Sequence, residues 1–421
     1  MSAHASNDAY ASGPLPESMT IPGWRVALIL ASFTLSLPGF LNSAQTGLAL
    51  GFWPSILAAF LSGVVLCVGA AFTAIVSVRT RLTTYMLVQR SFGVRGAALV
   101  NLVMAVIHYC WFGVNVSFLG DALVAAQSQG YGVPGNFNLF VIAGSIVITI
   151  STIYGFKTLD RLAMIAVPLV IAILFVVCGL ALHSGGVPDF APAAKPPVPM
   201  SFGVALSALV GSNMLAVATM PDLSRFIRSE RGAVAGMVLS YPIATPLLMV
   251  ISALIALATL QTDIMQLVVS YGLGAPALAM LLFSVWTMNS LNLYSAGLSM
   301  AATFPKVPQW AFTIGGGAIG CTFAVMGIIH AFIPFLVTLG LIIPPIAAIY
   351  VIDGFTLFGR KGGAPVFQSF RWEAIAVWLG SLVITLPATA YGVTLTTVPT
   401  LDATLLAAAG YLALLRFKKL I

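Results

Sequence analysis

The 421-residue chain is poor in charge. Charged residues make up 7% of it against 60% hydrophobic residues, with a mean hydropathy of +1.05. Soluble domains run near ~25% charged, so a water-soluble globule is excluded and a polytopic membrane protein is indicated. Cysteine is scarce as well: Cys67, Cys110, Cys178 and Cys321 all fall inside apolar segments. That reads as packing and argues against a disulfide framework or a zinc site. The first twenty residues are polar, with Asp8 and Glu17, and show no basic region followed by an apolar core. No cleaved signal peptide is expected, and the first membrane helix is expected to target the chain. His-Glu-x-x-His and Gly-x-Ser-x-Gly patterns are missing, and the 11 carboxylates lie in loops or near segment ends. This argues against a membrane-embedded enzyme. A channel is disfavoured because no repeated filter sequence is visible. No cofactor is expected.

Apolar segments recur twelve times, at about 24–47, 53–78, 97–125, 138–154, 162–182, 201–220, 233–260, 275–301, 309–326, 329–352, 372–393 and 400–415. Each is long enough for a membrane span. The fold class expected is an all-α polytopic membrane protein with twelve transmembrane helices and no soluble domain. Residues 1–23 form a cytoplasmic tail. Residues 24–352 form a ten-helix core in two five-helix sets, 24–182 and 201–352. Residues 353–421 add two helices and a short cytoplasmic C-terminus. With the N-terminus inside, every one of the 18 lysines and arginines except Lys195 falls on the cytoplasmic side. The bias supports cytoplasmic termini, expected in a plasma (inner) membrane, and it attributes the net charge of +7 to the bilayer surface, not to nucleic acid. The stretch Asp263–Tyr271 is amphipathic and is expected as a short outer helix.

The third segment carries Ile107-His108-Tyr109-Cys110-Trp111-Phe112-Gly113-Val114-Asn115-Val116, with no charge before Asp121. At ~1.5 Å per residue His108 lies ~16 Å from the helix start, near the middle of a ~30 Å hydrocarbon layer. His108, Trp111 and Asn115 share a helical face. Singly, each is as compatible with helix packing; together they read as a site. Segment eight adds Ser284, Thr287, Asn289, Ser290, Asn292 and Ser295 around Trp286. Two segments are expected to be broken: the first at Leu35-Ser36-Leu37-Pro38-Gly39-Phe40-Leu41-Asn42-Ser43, the sixth at Gly211-Ser212-Asn213-Met214-Leu215. Proline and glycine there would free backbone groups for a ligand, a pattern of transporter sites when it recurs in two halves.

Leu82-Thr83-Thr84, Ser91-Phe92-Gly93-Val94-Arg95-Gly96, Trp111-Phe112-Gly113-Val114, Leu209-Val210-Gly211-Ser212, Asp222 with Arg225-Phe226, Trp286-Thr287 with Asn289, Leu293-Tyr294 with Gly297-Leu298, and Ile343-Pro344-Pro345 with Asp353 follow one another at family-like spacing. In these stretches the chain resembles the cytosine permease branch of the nucleobase–cation symport-1 family along nearly its whole length. The resemblance implies a LeuT-like 5+5 inverted repeat with two extra C-terminal helices, and alternating access around a site between segments 1, 3, 6 and 8. It implies a symporter importing cytosine or a related base, driven by a cation gradient. Another heterocycle (hydroxymethylpyrimidine, a hydantoin or a purine) is the alternative substrate. Trp111 looks like the family's stacking platform and Asn289 like its edge-reading carboxamide. His108 stands where cytosine permeases often have glutamine, and Asn213 and Leu215 where they have an aromatic and a serine. Ser36, in the broken stretch of segment one, completes the substrate-binding candidates. A sodium ion would take Ser32 and Leu35 with Ser284 and Thr287. Met288 weakens that set, because a thioether is a poor ligand for a hard cation. The coupling ion is then Na+ or H+, with His108 the proton-binding candidate.

The topology is testable with single cysteines in a background lacking the four native ones. Ser229→Cys is expected to resist an impermeant thiol reagent on intact cells, and Lys195→Cys to react with it. The reverse pattern would overturn the orientation.

Overall fold

Removing water from around a backbone forces its amides and carbonyls to pair within the chain, and the apolar segments do this as helices. The structure, a computed structural model, describes residues 14–24, 26–27, 37–154, 157–186, 188–358 and 368–420. The first half runs through α1 (Leu37–Leu50), α2 (Phe52–Thr80), the short α3 (Thr84–Phe92), α4 (Val94–Tyr131), α5 (Phe137–Tyr154) and α6 (Lys157–Gly185). Then come α7 (Phe202–Ala218), the five-residue α8 (Met220–Ser224), α9 (Glu230–Val238), α10 (Thr245–Thr259), the short α11 (Ile264–Ser270), α12 (Gly274–Thr303), α13 (Gln309–Val325) and α14 (Phe332–Thr356). The last two helices are α15 (Trp372–Ala390) and α16 (Pro399–Phe417). A helix or a helix pair thus stands at each of the twelve apolar segments. Among the described residues, six helical stretches are long and apolar enough to cross a membrane by length and composition.

Local chemistry sets the ends. Thr83, Ser201 and Ser229 accept hydrogen bonds from Met86 N, Val204 N and Gly232 N, capping α3, α7 and α9. Gly132, at φ 66°, closes α4 in the left-handed conformation. The amphipathic stretch after segment seven is helical, as α11, with Ile264, Leu267 and Val268 buried. The corresponding place in the first half holds α3, which the sequence does not announce because it lies in the basic loop. A short helix between the second and third long elements of each half is what a repeated unit would give.

Segment seven is not one helix. Residues Leu239–Ala244, with Pro242 inside, form a wider π-turn between α9 and α10. Proline lacks the N–H that a regular turn needs, and the wider turn absorbs the defect. Segment six departs from expectation in the opposite sense: α7 is continuous through Gly211-Ser212-Asn213-Met214-Leu215 and ends only at Thr219. Gly211 serves packing instead. A Cβ there would sit 2.0 Å from the Leu336 carbonyl oxygen, so glycine lets α14 close onto α7. In segment one the chain is helical from Leu37, Pro38 and Gly39 included; Ser36 and the residues just before it lie outside the described residues.

The helices pack in two sets. One joins α4 to α5, α12 and α13; the other joins α2 to α1, α7, α9 and α10. α14 lies along α7, flanked by α15 and α16. Where α4 meets α13, glycine faces glycine: a Cβ on Gly113 would be 2.7 Å from the Gly320 carbonyl oxygen. The four cysteines are free thiols within helices.

The C-terminal end of α14 is tied to the C-terminal helices by a buried network. Asp353, fully buried, accepts from Arg371 Nη1 at 2.5 Å and from the Tyr411 hydroxyl at 2.8 Å. Arg371 Nη2 donates to the Tyr411 oxygen at 2.8 Å, and Nη1 also reaches the Arg90 carbonyl at 3.1 Å. Removing one partner strands the other charge. Arg371→Leu is expected to cost about 3–5 kcal/mol, and Arg371→Leu with Asp353→Asn less than the single change. Thermal unfolding of the purified protein checks the order; a double variant less stable than Arg371→Leu would contradict it.

Candidate functional site

Polar side chains gather along the seam between α4 and α12. Three contacts set these helices antiparallel. Asn101 Nδ2 donates to Thr303 Oγ1 at 3.0 Å, His108 Nδ1 lies 3.1 Å from Asn292 Oδ1, and Asn289 Nδ2 donates to the Phe112 carbonyl at 3.4 Å. Each step up α4 is matched by a step down α12, so Asn289 comes level with the turn that carries Trp111. Asn289 and Ser290 are both 0% exposed, and Asn289 Oδ1 and Ser290 Oγ have no hydrogen-bond partner. A buried polar atom left unpaired costs about 1–3 kcal/mol. His108 is only partly buried.

His108, Trp111 and Asn115 share a face of α4, but the face is broad. Positions three apart on a helix differ by ~60° around its axis, enough to meet different neighbours. His108 turns to α12. Trp111 turns to α14, where the Phe335 and Phe332 rings lie 5.5 Å and 6.3 Å away at 69° and 82°. Both contacts are edge-to-face. Neither phenyl ring stacks flat on the indole. Asn115 is buried within the same stretch.

On α7 the expected free carbonyls are taken. The Leu215 carbonyl accepts from Thr219 N at 2.9 Å and from Thr219 Oγ1 at 2.8 Å. Leu215 itself is buried. Asn213 Nδ2 donates to Ser212 Oγ at 3.0 Å, and that hydroxyl donates to the Leu209 carbonyl at 2.8 Å. Across from α7, Asn42 of α1 donates from Nδ2 to the Ala208 carbonyl at 3.2 Å. Asn42 Oδ1, Gln45 Oε1 and Thr46 Oγ1 are buried without a partner. Gln45 and Thr46 were not singled out from the sequence. Their signal is the i, i+3, i+4 spacing from Asn42, which puts all three on one side of α1.

The polar cluster of segment eight divides between two neighbours. Asn289 and Asn292 face α4, whereas Trp286 Nε1 donates to Ser151 Oγ of α5 at 2.9 Å. Ser284 and Thr287 stand on α12, but their side chains lie outside the described residues, as do Ser32, Leu35 and Ser36 altogether. Among the described residues no group of three or more His, Cys, Asp or Glu side chains could hold a metal ion.

Comparison with known proteins bears on this arrangement. Residues 24–412 match the model of a family described as permease for cytosine/purines, uracil, thiamine, allantoin. The cytosine permease of Escherichia coli (strain K12) is 26% identical over 381 residues, which cover 89% of this chain and 88% of that one. The cytosine permease of Escherichia coli O157:H7 matches to the same extent. Among solved structures, MHP1, a nucleobase-cation-symport-1 family transporter in a closed conformation with bromovinylhydantoin bound, superposes with a TM-score of 0.79. The identity is 17%, covering 97% of this chain and 95% of that one. A Na+-coupled sialic acid symporter in an outward-open state gives 0.64 at 13% identity, covering 93% and 88%. These likenesses establish the LeuT-like fold.

The place of Trp286 can be checked without a ligand. Ser151→Ala and Trp286→Phe break the same hydrogen bond, so each is expected to cost ~0.5–1.5 kcal/mol, and the double variant less than their sum. Strictly additive shifts in thermal unfolding would show that the two side chains do not meet.

Proposed function

The chain belongs to the permease family for cytosine/purines, uracil, thiamine and allantoin, and on that premise we propose that it imports cytosine or a closely related nucleobase. It is a nucleobase transporter working by alternating access, not an enzyme. The observation that carries the substrate reading is the α4–α12 seam, where an imidazole and two carboxamides gather at mid-segment, level with the turn of α4 that carries Trp111. An indole suits a flat heterocycle, because base and indole can stack face to face. Asn289 offers a carboxamide to the ring edge. Its unpartnered Oδ1 supports this, since a donor arriving with the base would relieve an unfavourable state. Asn213 and Leu215 on α7, with Ser36 in the sequence before α1, are the remaining substrate-binding candidates. The hydantoin-bound relative favours a hydantoin as the second reading.

Coupling draws on a cation gradient. Sodium would use the Ser32 and Leu35 carbonyls with Ser284 and Thr287, against the handicap of Met288. Proton coupling would use His108, the only imidazole or acid near the middle of a segment, whose ordinary pKa of ~6.5 allows exchange near physiological pH. The lopsided basic residues support N- and C-termini in the cytoplasm and placement in the plasma (inner) membrane.

Uptake of labelled cytosine into proteoliposomes, under separately imposed sodium and proton gradients, tests both parts. Trp111→Ala is expected to weaken binding about ten- to two-hundred-fold, the loss of ~1–3 kcal/mol of stacking. Full affinity in that variant would remove the stacking role. Proton-driven uptake lost in His108→Gln would establish the proton route, and sodium-driven uptake indifferent to pH gradient would exclude it.

A further inference from the structure

The second half of α1 carries three oxygens that its surroundings leave unused. Asn42 and Thr46 are each 1% exposed, and Gln45 is half-buried. Asn42 Oδ1, Gln45 Oε1 and Thr46 Oγ1 are buried atoms without a hydrogen-bond partner. Spacings of three and four residues set them on one side of the helix. Asn42 cannot relieve its oxygen by turning the carboxamide. Its Nδ2 donates to the Ala208 carbonyl, and a reversed amide would set oxygen against oxygen. Thr46 departs from the habit of the other helical threonines. Thr80, Thr152, Thr219 and Thr385 each donate to the carbonyl four residues back. Thr46 makes no such bond, so its hydroxyl is not spent on its own helix. α1 also stands between the two apolar cores. Leu41 packs into the one built on α2, α7 and α14, whereas Phe40, Ala44 and Leu48 pack into the other. The three oxygens therefore lie inside the protein, not against lipid.

We propose that Asn42, Gln45 and Thr46 hold a monovalent alkali cation, with water completing its shell, at a site separate from the Ser32, Leu35, Ser284 and Thr287 set. Oxygen ligands without sulfur or nitrogen suit a hard cation. The three ligands are neutral, which favours a single positive charge; a divalent ion would bring two uncompensated charges out of water. The carbonyl end of α1, at Leu50, adds partial negative charge on the same side. On the orientation proposed above that end faces outward. There Asp121, Asp189, Asp263 and Asp402 stand against Lys195 alone, a field that draws cations. By satisfying three oxygens at once, the cation stabilises the packing of α1 on α7, and its occupancy favours this state of the carrier.

The test uses the full chain, purified in detergent, with no nucleobase present, so it does not depend on the substrate-site reading. Thr287→Ala serves as the background, because it removes a hydroxyl of the other candidate cation set. Thermal unfolding is followed while sodium or potassium chloride replaces choline chloride at constant ionic strength. A cation that binds the folded state alone raises the unfolding temperature in a saturable way. Sodium or potassium is expected to do so in the background protein. Adding Thr46→Val, which keeps the shape and removes the oxygen, is expected to raise the midpoint concentration by roughly tenfold or more. Thr46→Ser is expected to restore it, and Asn42→Leu to act like Thr46→Val. No stabilisation over choline by either cation overturns the proposal. A midpoint unchanged by Thr46→Val also overturns it, and assigns the three oxygens to water only. Should Asn42→Leu fail to fold, the comparison of Thr46→Val with Thr46→Ser decides.

Discussion

A hydrocarbon layer offers no hydrogen-bond partner, and everything else in this molecule follows from that. The backbone must satisfy itself, which makes the chain helical almost throughout its described length. Side chains obey the same constraint less strictly. A hydroxyl can turn back on its own helix, as Ser43 does to Gly39 and Ser117 to Gly113. A carboxamide or imidazole needs another helix. The residues that cannot be satisfied locally, Asn42, His108, Asn289 and Asn292, accordingly sit where α1 meets α7 and α4 meets α12.

Helix association in a membrane lacks the drive that buries apolar surface in water, so close packing has to come from shape. The glycines at α7–α14 and at α4–α13 let backbones approach until the carbonyl of one helix occupies the space of a missing Cβ on the other. Within these sets, buried oxygens of α1 and α12 go without partners. Each is a small, standing cost. A carrier that alternates between states has a use for such costs: an arrangement stabilised in every contact would have no reason to yield to a ligand. The C-terminal pair α15–α16 is fastened to α14 and to the start of α4 through Asp353, Arg371 and the backbone of residues 368–371, which bond to Phe92, Val94 and Arg95. The scaffold is thus braced at its basic end, away from the seam.

Much of the fold was legible before any coordinates. Segment length, hydropathy and the position of lysine and arginine depend on the bilayer, an environment shared by every residue, so local sequence reports them directly. Where the reading failed, a single residue type had two physical outcomes. Gly211 reads as a helix breaker in the sequence and is a contact point in the structure, because glycine both frees φ and removes bulk. Pro242 has no distinguishing context inside a long apolar run, yet it is where segment seven widens into a π-turn. α3 was hidden by its composition: a nine-residue amphipathic helix in a basic loop has no membrane signature.

The site divides in the same way. The sequence by itself determined that His108, Trp111 and Asn115 share a helix face at mid-depth, that polar residues recur on segment eight, and, through the resemblance, which family they serve. Periodicity within one helix is a local property, and the sequence carries it in full. Which partner each side chain meets belongs to the tertiary structure. Only the packing of α12 against α4 pairs Asn292 with His108 and Asn289 with the Phe112 carbonyl, turns Trp111 toward α14, and sends Trp286 to Ser151. A helix exposes several neighbouring directions within one nominal face, and the choice among them is made by crossing angle and register, which no single segment encodes.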